Sequence, residues 1–373
     1  MNNSIKAYSY EEILAILAEL GQPKFRADQL IEWIYARGAT NYAEMSNLPS
    51  TLREVLEQRF PLNPPEIINL QSSLDGTRKY VLAFADGTRT ETVAIPSRIS
   101  SSQNIFQGSN LDRAPGESKY IGKAGDRMTV CVSTQVGCAL GCSFCATGKE
   151  GFTRNLLPGE IVDQVLIAQA DMGIRASNVV TMGQGEPFLN YNNTLAALRF
   201  INSSKGVAIG ARHITISTCG ITKGIRTLAE EPEQFTLAVS LHSAEQKVRN
   251  TLMPKMENEP LSKLKEALMY YIRGTNRRVS LEYIMIQGVN DTRSSYESLL
   301  TFCKGLLCHV NLLTFNETNR NTYIPSTKAK AWAKKLEEEH IPTTIRNSKG
   351  ADIAGACGQL KNSLSNSSSI SLS

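Results

Sequence analysis

Hydrophobic positions along this chain recur with two different periods, and the change between them divides it. From residue 8 to 60 the spacing is helical. YEEILAILAELG closes at Gly21, FRADQLIEWIYARG closes at Gly38, and LPSTLREVLEQRF follows. Within the second segment Phe25, Gln29, Trp33, Leu30 and Ile34 fall at helical spacing. KYVLAFADGTRTETVAI then reads as two strand-prone runs around Asp86-Gly87, a hairpin signal. Residues 97–127 are rich in Ser, Gly and charge without periodicity, so they read as a long surface loop or linker.

From residue 128 the period alternates. Strand-like runs MTVCVST, SNVVTMG, RHITIST, FTLAVSLH, RVSLEYIMI, LCHVNLLTF and PTTIR are separated by helix-like stretches. These include GEIVDQVLIAQADMG, NTLAALRFIN, LSKLKEALMYYI and TKAKAWAKKLEEEH. Such alternation predicts an α/β fold of parallel βα units, and fewer than eight units predict an open, partial TIM-like barrel. The expected organisation is a helical accessory domain over 1–62, a hairpin and loop linker over 63–127, the barrel over 128–361 and a disordered serine-rich tail over 362–373.

Alternation inside the strands separates two faces. Ile214 and Ile216 oppose His213, Thr215 and Ser217; Leu237, Val239 and Leu241 oppose Thr236, Ala238, Ser240 and His242. Val130 and Val132 likewise oppose Thr129, Cys131 and Ser133. The apolar faces must meet the helices, because parallel sheets are covered on both sides. A lumen of Ser, Thr, His and Cys then implies a bound polar ligand, since closed barrels fill theirs with branched apolar residues.

Composition bounds the partners. A net charge of +5 over 373 residues is compatible with a polyanion without specifying one. Arg26, Arg37, Arg53 and Arg59 decorate the first helices, as a solvated basic face or as an RNA-contacting one. The start lacks the order of a secretory signal and no apolar run approaches the ~20 residues of a membrane span, which points to the cytoplasm. Eight cysteines in a chain of this length do not make a disulfide framework.

Three of those cysteines carry the chemistry. Cys138, Cys142 and Cys145 in VGCALGCSFCATG lie on one short loop. Zinc would want a fourth N or S ligand, and none is near in sequence. A [4Fe–4S] cube takes one thiolate per iron, so three leave an iron open for substrate or cofactor. The spacing resembles that of the radical S-adenosylmethionine (SAM) superfamily. GQGEP at 183–187 follows the strand SNVVTM at the rim, where Glu186 can accept from an ammonium. It resembles the turn that holds the amino group of SAM in those enzymes. Asn316, after HVNLLTF, takes another rim position.

Near the end, RNSKGADIAGACGQL places Cys357 in an ACGQL context. Together with ETV around Glu91, CVSTQVGC, GFTRNL, GEP, SLH and VNLLTFN, it resembles the RlmN-type adenine-C2 methyltransferases, radical SAM enzymes acting on 23S rRNA and, in many bacteria, on tRNA. The resemblance runs from about residue 20 to 361. It implies that Cys138, Cys142 and Cys145 hold the cluster. Gly185, Glu186, Ser217, Ser240, Leu241, His242 and Asn316 would contact SAM. Cys357 would become S-methylated, Cys131 would be its disulfide partner, and Glu91 the general acid/base. It further implies a one-electron donor such as flavodoxin or ferredoxin, a cellular thiol reductant, and a monomer. Gln184 stands where Met is usual and Thr314 where Pro is usual, and the 97–127 segment is longer than the family's; GEP rather than GEA favours C2 over C8 methylation. Other radical SAM enzymes would not need Cys131 and Cys357, and an inactive iron–sulfur RNA-binding protein would lack Glu91 or Cys357. Cys219, Cys303, Cys308, His309 and His340 read as structural.

Overall fold

The computed structural model describes residues 4–97, 126–317 and 322–361. The expectations for most of the 97–127 segment and for the tail from 362 lie outside the described residues. Helices α1 (Tyr10–Glu19), α2 (Phe25–Ile31) and α3 (Ser50–Arg59) open the chain. Ser9 and Glu12 form a reciprocal capping box at the start of α1, satisfying donors that the first turn leaves free. Strands β1 (Glu66–Ser72), β2 (Arg78–Ala83) and β3 (Arg89–Pro96) form an antiparallel meander.

The parallel half follows as β4 (Met128–Cys131), a two-stranded ribbon of β5 (Gln135–Gly137) and β6 (Phe152–Asn155), α4 (Pro158–Met172) and β7 (Asn178–Val180). Next come α5 (Tyr191–Asn202), β8 (Ile214–Thr218), α6 (Thr222–Leu228) and β9 (Thr236–Ser240). After these come α7 (Gln246–Leu252), α8 (Leu261–Thr275), β10 (Val279–Met285), α9 (Arg293–Cys303), β11 (Cys308–Thr314), α10 (Ala329–Glu338) and β12 (Thr343–Arg346). The principal sheet runs β1-β2-β3-β4-β7-β8-β9-β10-β11-β12. Pairing is parallel from β4 to β12, and the sheet does not close.

The strand runs expected from residue 128 therefore appear, but the hairpin region is no free linker. β3 pairs antiparallel with β4, Val93 opposite Cys131, so the meander extends the barrel's own sheet. The first helices are also continuous with the barrel. The Lys6 ammonium reaches Asp163 of α4 at 2.5 Å, both side chains buried, and the Tyr35 and Phe200 rings lie 4.7 Å apart. One hydrophobic core runs from Ile13 and Leu30 through Val130 and Ile216 to Leu312 and Leu336. Each such fully buried aliphatic side chain contributes about 1.5–3 kcal/mol.

Strand alternation falls as the sequence indicates. Ile214, Ile216, Leu237 and Val239 are buried toward the helices, while Thr215, Ser217, Thr236 and Ser240 face lumen cavities. His213 departs from that pattern. It sits in a 3-10 turn before β8, where its Nδ1 lies 3.1 Å from Asn178 Oδ1. Among the described residues no helix is long and apolar enough to cross a membrane.

Candidate active site

The cluster loop is clamped by its flanking ribbon. Gly137 ends β5 at φ +75°, and a Cβ there would lie 2.0 Å from the Gly151 carbonyl, so only glycine lets β5 and the start of β6 close under the loop. The Cys138 N–H then donates to that carbonyl at 2.7 Å. Cys138, Cys142 and Cys145 all line one open cavity. Among the described residues no three of His, Cys, Asp and Glu stand ready to share a single metal ion. Three thiols spaced along one loop, facing one cavity, suit a cube that spreads its irons rather than a single ion that gathers its ligands.

Across this cavity the turn after β7 presents its carboxylate. Gly185 adopts φ +101°, and a Cβ would meet Gln135 Cβ at 2.6 Å. Glu186 is buried, its Oε2 accepting from the Cys219 N–H at 2.7 Å and its Oε1 from the Phe188 N–H at 3.0 Å. Burial pushes its acidity down, and those two backbone donors act the other way. A fixed buried carboxylate in a cavity is matched to an ammonium. His242 lines the same space, with Nδ1 accepting from the Ile284 N–H at 3.1 Å. Burial, then the nearby Arg249 charge, lowers its pKa to about 3, so the ring is neutral and offers Nε2–H. Ser217 and Ser240 complete the polar wall; Ile284, Leu313 and Phe144 form an apolar one.

A second cavity adjoins the first. Cys131 and Cys357 both line it, together with Asn316, Thr314 and Arg346. Cys357 also lines the first cavity, so its thiol belongs to both. The segment carrying it is stitched to its surroundings. Ala146 N–H donates to the Gly358 carbonyl at 2.7 Å, Thr147 Oγ1 to the Leu360 carbonyl at 2.6 Å, and Asn316 Nδ2 to the Cys357 carbonyl at 3.2 Å. Burial, then the neighbouring Cys357, pushes the Cys131 thiol up to about 12.

Three of the expected site residues are placed differently from the rest. Asn316 faces the cavity of the two thiols rather than the one with Glu186. The Leu241 side chain is wholly buried in the core, because the strand's alternation turns it toward the helices. Glu91 lines neither cavity. It is 1% exposed, its Oε2 accepts the Lys361 N–H at 2.7 Å, and burial raises its pKa to about 7 against the pull of Lys79.

Sequence reasoning missed Glu282, Met182 and Arg346, which line the first cavity, and Lys79 beside Glu91. A charged residue amid the apolar run VSLEYIMI was the signal for Glu282, and the C-terminal end of the last strand was the signal for Arg346. Gln184, the departure from the family's usual Met, is used structurally. Its Oε1 accepts from Thr90 Oγ1 at 2.8 Å and ties the rim turn to β3.

Comparison with known proteins agrees with this geometry. The family model of the Radical SAM superfamily matches residues 132–298, and that of the ribosomal RNA large subunit methyltransferase N-terminal domain matches residues 5–62. The chain is 39% identical over 372 residues to a probable dual-specificity RNA methyltransferase RlmN of Clostridium perfringens strain 13, covering 99% of both chains. It is 42% identical over 349 residues to the protein of that description from Synechococcus elongatus, covering 91% of this chain and 88% of that one. A crystal structure of a radical SAM methyltransferase from Sphaerobacter thermophilus superposes with a TM-score of 0.84 at 39% identity, over 97% of this chain and all of that one. The cofactors are accordingly a [4Fe–4S] cluster and SAM. With a cluster loop, a carboxylate turn and near full-length relatives in agreement, this chain belongs to the RlmN family of radical SAM RNA methyltransferases.

Proposed function

We propose that this enzyme methylates C2 of adenine in 23S rRNA and in tRNA, with Cys357 carrying the methyl group. The observation that carries the reading is that Cys357 lines two adjoining cavities, one with the cluster cysteines and Glu186, the other with Cys131. Adenine C2 has no nucleophilic lone pair, so it cannot take a methyl from SAM by direct displacement. A protein thiol can. Cys357 attacks the methyl carbon as thiolate, a C–S bond forms, and the sulfonium's electron pair leaves with S-adenosylhomocysteine.

When bound and reduced by one electron, the cluster would supply the reductive cleavage of a second SAM, and with it the radical that takes a hydrogen atom from the methyl on Cys357. Cys138, Cys142 and Cys145 hold that cluster, and Glu186, Ser217, Ser240 and His242 orient SAM. The Cys357 methylene then bonds to C2. The adduct is a radical, so as Glu91 takes the C2 proton one electron would leave and return to the oxidised cluster; Cys131 then attacks the Cys357 sulfur as thiolate, the S–S bond forms as the methylene–sulfur bond breaks, and the electron pair left on the methylene carbon takes up a proton to complete the methyl group. A flavodoxin or ferredoxin would supply the electron, and a cellular thiol would reduce the disulfide, as expected in a cytoplasm. The target base must be unpaired or flipped, at a cost of a few kcal/mol. The exposed Phe25, with Arg26 over its ring, and the stacked Arg37–Trp33 pair support an RNA-facing role for the first helices.

Mass spectrometry of nucleosides from rRNA and tRNA of a deletion strain tests this. Loss of 2-methyladenosine, restored by the wild-type gene and not by Cys357→Ala, is expected. Unchanged 2-methyladenosine in both pools would overturn it.

A further inference from the structure

The cavity that holds Glu186 has a second buried carboxylate, which the chemistry above does not use. Glu282 lies within β10, is 3% exposed, and lines this cavity beside Ser217, Ser240 and His242. In the sheet register it stands directly opposite Ser240. Its two oxygens are treated unequally. Oε1 accepts from Ser280 Oγ at 2.7 Å and from Asn311 Nδ2 at 2.9 Å. Oε2 is buried and has no hydrogen-bond partner among the described residues. Arg346 shares the wall and attracts Glu282 across it, yet its Nη1 lies 3.5 Å from Met182 Sδ, and no ion pair joins the two among the described residues.

A buried carboxylate oxygen without a donor is costly, and the deficit ends when a ligand brings one. SAM offers three sets of N–H or O–H donors. The ammonium is matched by Glu186 at the rim. The adenine ring suits the apolar wall of Ile284, Leu313 and Phe144, and its neutral amino group needs only a carbonyl acceptor rather than a buried carboxylate. The vicinal ribose hydroxyls remain, and paired hydroxyls fit a carboxylate, as in the acidic residue that grips ribose in dinucleotide-binding folds. Asn311 and Ser280 already fix the carboxylate's plane, so its free oxygen is aimed without the ligand having to order it.

We propose that Glu282 accepts hydrogen bonds from the 2′- and 3′-hydroxyls of SAM and sets the depth of the adenosyl group in the lumen. This rests on reading the cavity as the SAM site. The test is anaerobic calorimetry on the cluster-loaded enzyme with SAM and its 2′-deoxy and 3′-deoxy analogues. Wild type should bind at least one deoxy analogue about tenfold more weakly than SAM, the loss typical of one hydrogen bond to a charged group. Glu282→Gln should bind SAM about tenfold more weakly and discriminate little further against the deoxy analogues. The wild-type comparison needs no substitution in a buried strand, so it stands even where the variant folds poorly. Equal wild-type affinity for all three ligands overturns the proposal, as does a variant that keeps both affinity and discrimination, which would leave Ser240 as the ribose contact. Wild type that binds no SAM overturns the reading of the cavity itself, and this proposal with it.

Discussion

The Lys79 ammonium lies 3.4 Å from the Glu91 carboxylate, with both side chains buried on adjacent strands, and the same ammonium is 3.4 Å from the Ala354 carbonyl in the segment that carries Cys357. A buried carboxyl held near a pKa of about 7 can both take and give a proton at neutral pH. Burial raises it, and Lys79 limits the rise.

Lys79→Met should therefore move the pH midpoint for release of the RNA adduct upward from about 7, and Lys79→Arg should restore it. Single-turnover release from a preformed adduct across pH measures this; an unmoved midpoint would remove Lys79 from the acid–base step. The stability consequence has a definite sign. A carboxyl raised above its unfolded range stabilises the fold while protonated, and that contribution is lost as pH rises through about 7. Glu91→Gln should flatten this loss in urea titrations between pH 4.5 and about 7, a window set by the ordinary and the raised value of the carboxyl.

Cluster loading depends on the ribbon as much as on the thiols. Cys142→Ala should abolish the cluster's visible absorbance and SAM cleavage together. Gly137→Ala, whose Cβ would meet the Gly151 carbonyl at 2.0 Å, should lower iron content severalfold while far-ultraviolet circular dichroism stays near wild type. Full iron loading of Gly137→Ala would show that the ribbon does not clamp the loop.

Cys131→Ala distinguishes resolution from packing. The variant should assemble its cluster, methylate Cys357 and then accumulate RNA bound covalently through Cys357. Denaturing gels should show a band that nuclease collapses to free protein. Normal turnover would leave Cys131 as a packing residue whose loss costs about 1 kcal/mol.

Docking of the first helices rests on a buried ion pair. Lys6→Met leaves the Asp163 carboxylate buried without its cation and should cost about 3–5 kcal/mol. Adding Asp163→Asn should recover much of it, because the uncompensated charge, not the lost attraction, dominates the penalty. Urea unfolding of the single and double variants measures both.

Much of this was legible in the sequence for one reason: period-two alternation survives in a partly polar lumen. It put Ser217, Ser240 and His242 on the inner face and the isoleucines outside. It also explains Leu241, which the motif SLH includes but the alternation turns away. What escaped depends on contacts distant in sequence. The antiparallel joint between β3 and β4 spans residues 97–127, and nothing local announces it. Lys79 gains its meaning only from Glu91 on the next strand, and Arg346 only from Cys131 and Cys357, which line the same cavity. Gln184 looked like a simple departure until its bond to Thr90 tied the rim turn to the strand of Glu91.

The segment that carries Cys357 also supplies a hydrogen-bond donor to the buried Glu91 carboxylate. Lys361 gives its amide hydrogen to Glu91, and Gly358 and Leu360 are sewn to the cluster loop. The acidity of Glu91 is therefore set in part by a residue 270 positions away in sequence. A chain cut after Gln359 loses that donor and leaves the carboxylate to Lys79 alone, so the titration of Glu91 should move upward from about 7.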